Sequence, residues 1–177
     1  PIYKGNLSAY ALNMAIRDRV NPLERGKIVL KRDKDSFRDN DRVIILQNDR
    51  ERNCSNGDVG ILHILKVEGN QATYCVKLPD GRCPTWDDAS GLAQLSLAYC
   101  LTVHKSQGSE YDTILLPIAK GMDGMLSRNL LYTAISRAKK RVILYGDPQA
   151  LDVAVQKNLP QRKSLLVPKT RMLLECA

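Results

Sequence analysis

Apolar and polar positions change period twice along the chain, and each change predicts a different kind of element. In SAYALNMAIRDRVNP (8–22) apolar residues fall at Ala9, Leu12, Ile16 and Val20, close to the helical repeat. Asn21-Pro22 closes the run, so a helix is expected there. Residues 23–40 are polar and charged and read as a loop. RVIILQ (42–47), DVGILHILKV (58–67) and QATYCVKL (71–78) are then rich in β-branched residues. Turn formers punctuate them at Ser-Asn-Gly-Asp (55–58), Glu-Gly-Asn (68–70) and Pro-Asp-Gly (79–81). Short strands joined by tight turns predict a small β-barrel.

From residue 96 strands and a helix alternate. LAYCLTV (97–103) reads as a short strand, TILLPI (113–118) as a buried strand, 126–140 as a helix and RVILYG (141–146) as a further strand. That order is α/β and predicts a parallel sheet. The expected architecture is an α/β domain made of residues 1–40 and 98–177, interrupted by a barrel at 41–97. No apolar run approaches the roughly 18–20 residues that span a bilayer, so no membrane partner is expected. Beyond residue 157 the pattern assigns no element.

On the predicted helix 126–140, Leu130, Leu131, Ala134, Ile135 and Ala138 share one arc of roughly 140°. Ser136, Lys139 and Lys140 fall opposite it. Arg137 lies just outside the apolar arc, next to Thr133, where a second surface could meet it. An arginine at a helix boundary also pairs with local carboxylates, and spacing alone does not separate the two readings.

Charge sharpens the division. The chain of 177 residues carries 27 Lys and Arg against 19 Asp and Glu, a net charge of +8. Residues 1–40 hold nine basic against five acidic residues, 41–97 six against eight, and 98–177 twelve against six. A basic body around a mildly acidic middle fits an inserted module and a polyanionic partner for the rest. The five cysteines (54, 75, 83, 100 and 176) form no C-x-x-C pair and have no companion histidine at zinc-ligand spacing. They read as reduced thiols packed as small apolar residues in a cytoplasmic protein, and no metal site is expected. The chain opens with Pro1 in mid-pattern, and a longer parent protein is expected.

LTVHKSQGSEYD (101–112) is the densest polar cluster, lodged between two apolar strands. Thr102, His104, Lys105, Ser106 and Gln107 place donors in one loop at a strand end, and Gly108 permits close backbone approach. Loops at the carboxyl ends of parallel strands bind ligands, and hydroxyls, amides and lysine hold phosphates. A solvated connection has the same composition. For Arg137 the sharper chemistry is an arginine finger, a permanently charged planar fork stabilising charge on phosphate oxygens.

Taken together these segments resemble a known family. LAYCLTVHKSQGSEYD (97–112) resembles motif V of superfamily 1 DNA helicases, and LLYTAISRAKKRVILYG (130–146) resembles their motif VI. PIYKGNLSAYALNMAI (1–16) and SNGDVGIL (55–62) are similar to the RecD-like branch, and the resemblance covers most of residues 1–150. It implies a second RecA-like motor domain carrying an inserted SH3-like barrel, in an ATP-dependent helicase that translocates 5′ to 3′ on single-stranded DNA. By the family pattern Arg137 meets the γ-phosphate of ATP bound to the first motor domain, and Gly108 and Glu110 border the nucleotide. Thr102, His104, Lys105 and Ser106 face the DNA backbone, with Tyr3 and Lys4 in a stretch given to DNA or interdomain contact. Ser136 stands where the family often has threonine, which keeps the hydroxyl.

The chain contains no G-x-x-x-x-G-K-[S/T] loop and no acidic Walker B strand. The phosphate loop and the magnesium ligands are therefore expected upstream of Pro1, on an N-terminal motor domain. Roles in DNA repair or recombination, with a nuclease partner, are compatible with the resemblance. Two other readings stay open: a non-enzymatic adaptor derived from a helicase remnant, and an RNA-directed helicase of the same superfamily.

Overall fold

Ser8 begins the first helix, its hydroxyl accepting from the Ala11 N–H at 3.1 Å, as an N-cap serine does. The computed structural model describes residues 7–32, 35–69, 71–119 and 126–157, which divide between two units, Pro1–Glu110 and Tyr111–Ala177. In the first unit α1 spans Ala9–Val20, as its apolar period predicts. Its buried residues, however, are Asn13 and Arg17, one turn apart, while Val20 is 69% exposed. What the helix meets there is largely polypeptide backbone, which calls for polar side chains.

The segment expected as a loop contains a hairpin. β1 (Val29–Arg32) pairs antiparallel with β2 (Asp35–Arg38), placing Leu30 opposite Phe37. Only one residue per strand is buried, Leu30 and Phe37 respectively. The inward period is therefore hidden among charged neighbours. Both side chains join the apolar cluster of the strands that follow.

Those strands are β3 (Arg42–Ile45), β4 (Val59–Glu68), β5 (Gln71–Lys77), β6 (Thr85–Trp86) and β7 (Leu95–Leu97). They form one antiparallel sheet in the order β6-β5-β4-β3-β7. This order leaves β6 and β7 at its ends and does not by itself close into the expected barrel. Val43, Ile45, Leu62, Tyr74, Val76 and Leu95 alternate into the core with Trp86 and Leu92. Tyr74 stacks on Trp86 with ring centroids 5.7 Å apart. A Cβ at Gly91 would come within 2.2 Å of the Trp86 ring, so the 3-10 turn Ala89–Gln94 needs glycine there. The Ala98 N–H donates to the Arg42 carbonyl at 2.8 Å, so the two ends of segment 41–97 lie side by side.

β7 stops at Leu97, and no strand continues through 98–103. The strand expected at 97–103 is cut short because the backbone of Cys100 bonds to a side chain instead of a neighbouring strand.

In the second unit β8 (Tyr111–Ile118) and β9 (Ala138–Gly146) run parallel, in register from Thr113 with Arg141 to Ile118 with Gly146. α2 (Arg128–Ile135) connects them, capped by Ser127. It is shorter than the expected 126–140. Ser136 and Arg137 close the last turn through Tyr132 and Ala134 carbonyls. The Tyr111 N–H then takes the Arg137 carbonyl at 2.8 Å and draws the chain into β9. β8 was expected to be buried, yet only Ile118 of it is, and Leu115 is 64% exposed. Among the described residues β8 has a single partner strand. α3 (Pro148–Gln156), which the periodicity did not reveal, starts at the Asp147 cap with proline in its first turn and packs on α2.

Candidate functional site

The 101–110 loop folds upon itself. The Thr102 carbonyl accepts from the Ser106 N–H at 3.1 Å, and its Oγ1 accepts from the Lys105 N–H at 3.2 Å. The His104 carbonyl accepts from Gln107, and the Ser106 carbonyl from Ser109. Ser106 is buried, its hydroxyl donating to the Val103 carbonyl at 2.8 Å. That hydroxyl shapes the turn from inside. His104 and Lys105 are exposed on the outside of the loop, with Thr102 half-buried beside them. Gly108 adopts φ +87°, and open space surrounds the position a Cβ would take. A phosphate can approach its backbone unhindered.

The start of this loop is pinned from α1. The Asn13 side chain donates to the Cys100 carbonyl at 2.7 Å and accepts from the Cys100 N–H at 2.9 Å. It also donates to the Ala9 carbonyl at 2.8 Å, which fixes its rotamer against its own helix. One amide thus replaces the neighbouring strand that Cys100 lacks. Burial pushes the Cys100 thiol up, so it stays protonated and inert.

A buried carboxylate lies next to the clamp. Asp41 is fully buried and accepts from Asn21 Nδ2 at 2.8 Å, the Tyr99 hydroxyl at 2.9 Å and the Arg38 N–H at 2.8 Å. Arg17, equally buried, approaches it at 3.8 Å and donates to the Ser36 carbonyl at 2.7 Å. Burial is the main reason the Tyr99 phenol is pushed up. These contacts join α1, the β1–β2 hairpin, the start of β3 and segment 98–100. Removing one partner of such a buried pair costs about 3–5 kcal/mol, because the other charge is left uncompensated.

Arg137 belongs to the second unit. It sits in the turn between α2 and β9 and not on the helix face that its spacing suggested. Its Nε donates to the Thr133 carbonyl at 3.3 Å and Nη2 to Ser136 Oγ at 3.2 Å. Nη1 has no partner among the described residues, so part of the fork is available to an anion. The Ser136 hydroxyl therefore orients the guanidinium. Tyr3 and Lys4 lie outside the described residues. Among the described residues no three His, Cys, Asp or Glu side chains come together to hold a metal ion, and none is assigned to magnesium.

Two family models match this chain: the UvrD-like helicase C-terminal domain over residues 97–145, and the ATP-dependent RecD-like DNA helicase SH3 domain over residues 12–77. The chain is 34% identical over 97% of its length to the ATP-dependent RecD2 DNA helicase of Deinococcus radiodurans. It belongs to the RecD-like branch of the superfamily 1 helicases. It is 28% identical over 124 residues to the RecBCD enzyme subunit RecD of Mycobacterium tuberculosis, which covers 70% of it. It spans less than a quarter of the length of either relative. A Pif1 helicase from Bacteroides in complex with ADP-AlF3 and ssDNA shares the fold, with a TM-score of 0.55, 17% identity, and coverage of 99% of this chain and 47% of that one.

The UvrD-like helicase C-terminal match contains the 101–110 loop and the Arg137 turn. The SH3 match begins inside α1 and includes Asn13, Arg17 and Asp41. Reasoning from motifs singled out none of these three. The available signal was a pair of polar residues, Asn13 and Arg17, spaced one helical turn apart beside an apolar stripe.

Proposed function

We propose that this chain is the C-terminal motor portion of an ATP-dependent DNA helicase that translocates on single-stranded DNA and unwinds duplex. Residues 1–40 and 98–177 supply the second RecA-like motor domain, and 41–97 supply an SH3-like insert. Arg137 completes an ATP site whose phosphate loop and magnesium ligands come from an N-terminal motor domain of the same protein. ATP bound there supplies the phosphoryl chemistry. Arg137 places a planar cation against its phosphates, while Gly108 and Glu110 border the nucleotide. Thr102, His104 and Lys105 face the DNA backbone, and Tyr3 and Lys4 belong to a stretch given to DNA or interdomain contact. Ser106 supports the loop from within.

The observation that carries this reading is the Arg137 turn, inside the segment matched by the helicase domain. Two of its guanidinium nitrogens are tied to Thr133 and Ser136, and the third has no partner among the described residues. A non-enzymatic adaptor needs no such arginine. In the full-length protein Arg137→Ala should leave ATP affinity intact and lower DNA-stimulated turnover by about 10³-fold or more. Arg137→Lys should rescue little, because a point charge does not replace the fork. Steady-state hydrolysis with and without single-stranded DNA measures both, and near-normal turnover in either variant overturns the assignment.

A further inference from the structure

Cys75 lies in β5 and Cys83 just ahead of β6, at the two feet of the turn that joins these strands. The ladder continues past the paired residues. The Val76 N–H donates to the Pro84 carbonyl at 3.0 Å, and the Leu78 N–H to the Arg82 carbonyl at 2.9 Å. This brings the two sulfurs to 2.9 Å, with the Cys83 thiol directed at Cys75 Sγ. The turn itself is braced: Arg82 bonds Asp80 at 2.7 Å, Asp58 at 3.0 Å and the Asn53 carbonyl at 2.8 Å. The two thiols are thus held side by side by a backbone ladder and three side-chain bonds.

We propose that Cys75 and Cys83 are an oxidation site, a dithiol that hydroperoxides convert to a disulfide across the feet of the β5–β6 turn. The two cysteines differ in access. Cys83 is exposed, whereas Cys75 is 6% exposed. Burial, with the neighbouring Cys83 adding to it, pushes the Cys75 thiol up to about 12, so it stays protonated at neutral pH. Oxidation therefore begins at Cys83, whose thiolate attacks one peroxide oxygen. The O–O bond breaks, Cys83 becomes a sulfenic acid and the other oxygen leaves as water after taking a proton. Cys75 sulfur then attacks Cys83 sulfur, the S–O bond breaks, and hydroxide leaves as a second water with the Cys75 proton. Two thiols lose two electrons and one hydrogen peroxide becomes two waters. Proximity compensates for the poor acidity of Cys75, and the closing step should quicken as pH rises. In a reducing compartment such a bond is transient, which suits a sensor better than a structural staple.

The test is a non-reducing peptide map of the folded full-length protein, treated with hydrogen peroxide and alkylated before digestion. Trypsin cuts after Lys66, Lys77, Arg82 and Lys105, so Cys75 and Cys83 fall in separate peptides, 67–77 and 83–105. The expected product is these two peptides joined, with fragmentation assigning the bond to Cys83 and not to Cys100. Cys100→Ser should keep the link and Cys83→Ser should abolish it, with circular dichroism showing both variants folded. Recovery of Cys75 as a free thiol while Cys83 advances to sulfinic acid overturns the proposal, as does a link through Cys100. Either outcome leaves the motor assignment untouched, since no residue of that site takes part.

Discussion

Asn13 offers one donor and one acceptor to a single residue, Cys100, which its helix would not otherwise meet. Losing the amide strands a backbone N–H and a carbonyl, at about 1–3 kcal/mol for each group left buried without a partner. In the full-length protein Asn13→Ala should therefore weaken single-stranded DNA binding by roughly 10-fold, through a loosened 101–110 loop. The KM for ATP should hardly change. Asn13→Asp keeps the acceptor and loses the donor, and should fall between. Fluorescence anisotropy with labelled DNA, beside ATPase titrations, reads the two effects separately. An equal loss in both would mean that Asn13 only stabilises the fold. Arg137 and Lys105 are candidates from sequence because their chemistry resides in the residue type. Asn13 is not, because its partner is a backbone group 87 residues away.

At the scale of elements, legibility follows how many residues carry the pattern. β4 and β5 run for ten and seven residues and lie close to where they are expected. β1 and β2 bury one residue each, and their charged neighbours read as loop. The predicted helix 126–140 ran on because Arg137-Ala138-Lys139-Lys140 has good helical character. Pairing of β9 with β8 overrides that local preference. The same contacts set the boundary for excising the insert. Cutting out 41–97 deletes Asp41 and leaves Arg17 uncompensated, with Leu30 and Phe37 stripped of their cluster. Cutting out 29–97 removes the whole apolar cluster together with both partners of Arg17, Ser36 and Asp41, and its two ends are joined in the intact chain through Ile28 with Asp39 and Arg42 with Ala98. A short flexible linker over 29–97 should leave the rest of the full-length protein folded. The 41–97 version should unfold at lower denaturant concentration. Urea titrations compare the two, and equal midpoints would show that the β1–β2 hairpin does not depend on the cluster it joins.

For the whole molecule the governing property is a net charge of +8 concentrated outside the acidic middle segment. Binding through phosphates releases counterions, so DNA affinity should fall steeply with salt and show little sequence preference. Each phosphate neutralised on a single strand contributes a slope of about −0.7 in log K against log salt. Lys105→Ala in the full-length protein should flatten the slope by about that amount. Binding titrations at several salt concentrations measure it, and an unchanged slope moves Lys105 off the DNA path. The parallel order of β8 and β9 followed from the alternation of strand and helix. The exposure of Leu115 and Tyr145 did not, because a run of apolar residues says nothing about how many neighbouring strands cover it.

The bond between Asn13 and Cys100 also sets an order of assembly. The β4–β5 hairpin turns within a few residues, whereas the amide must find a partner 87 residues further along the chain. Closing a loop of that length costs about 4 kcal/mol of chain entropy before any constant is added. That cost is met only after β3 and β7 have paired and carried residues 98–100 alongside Arg42. The start of the polar loop is therefore fixed after these strands. On this order a polypeptide halted part-way through folding holds its hairpins before residues 98–100 are fixed to α1.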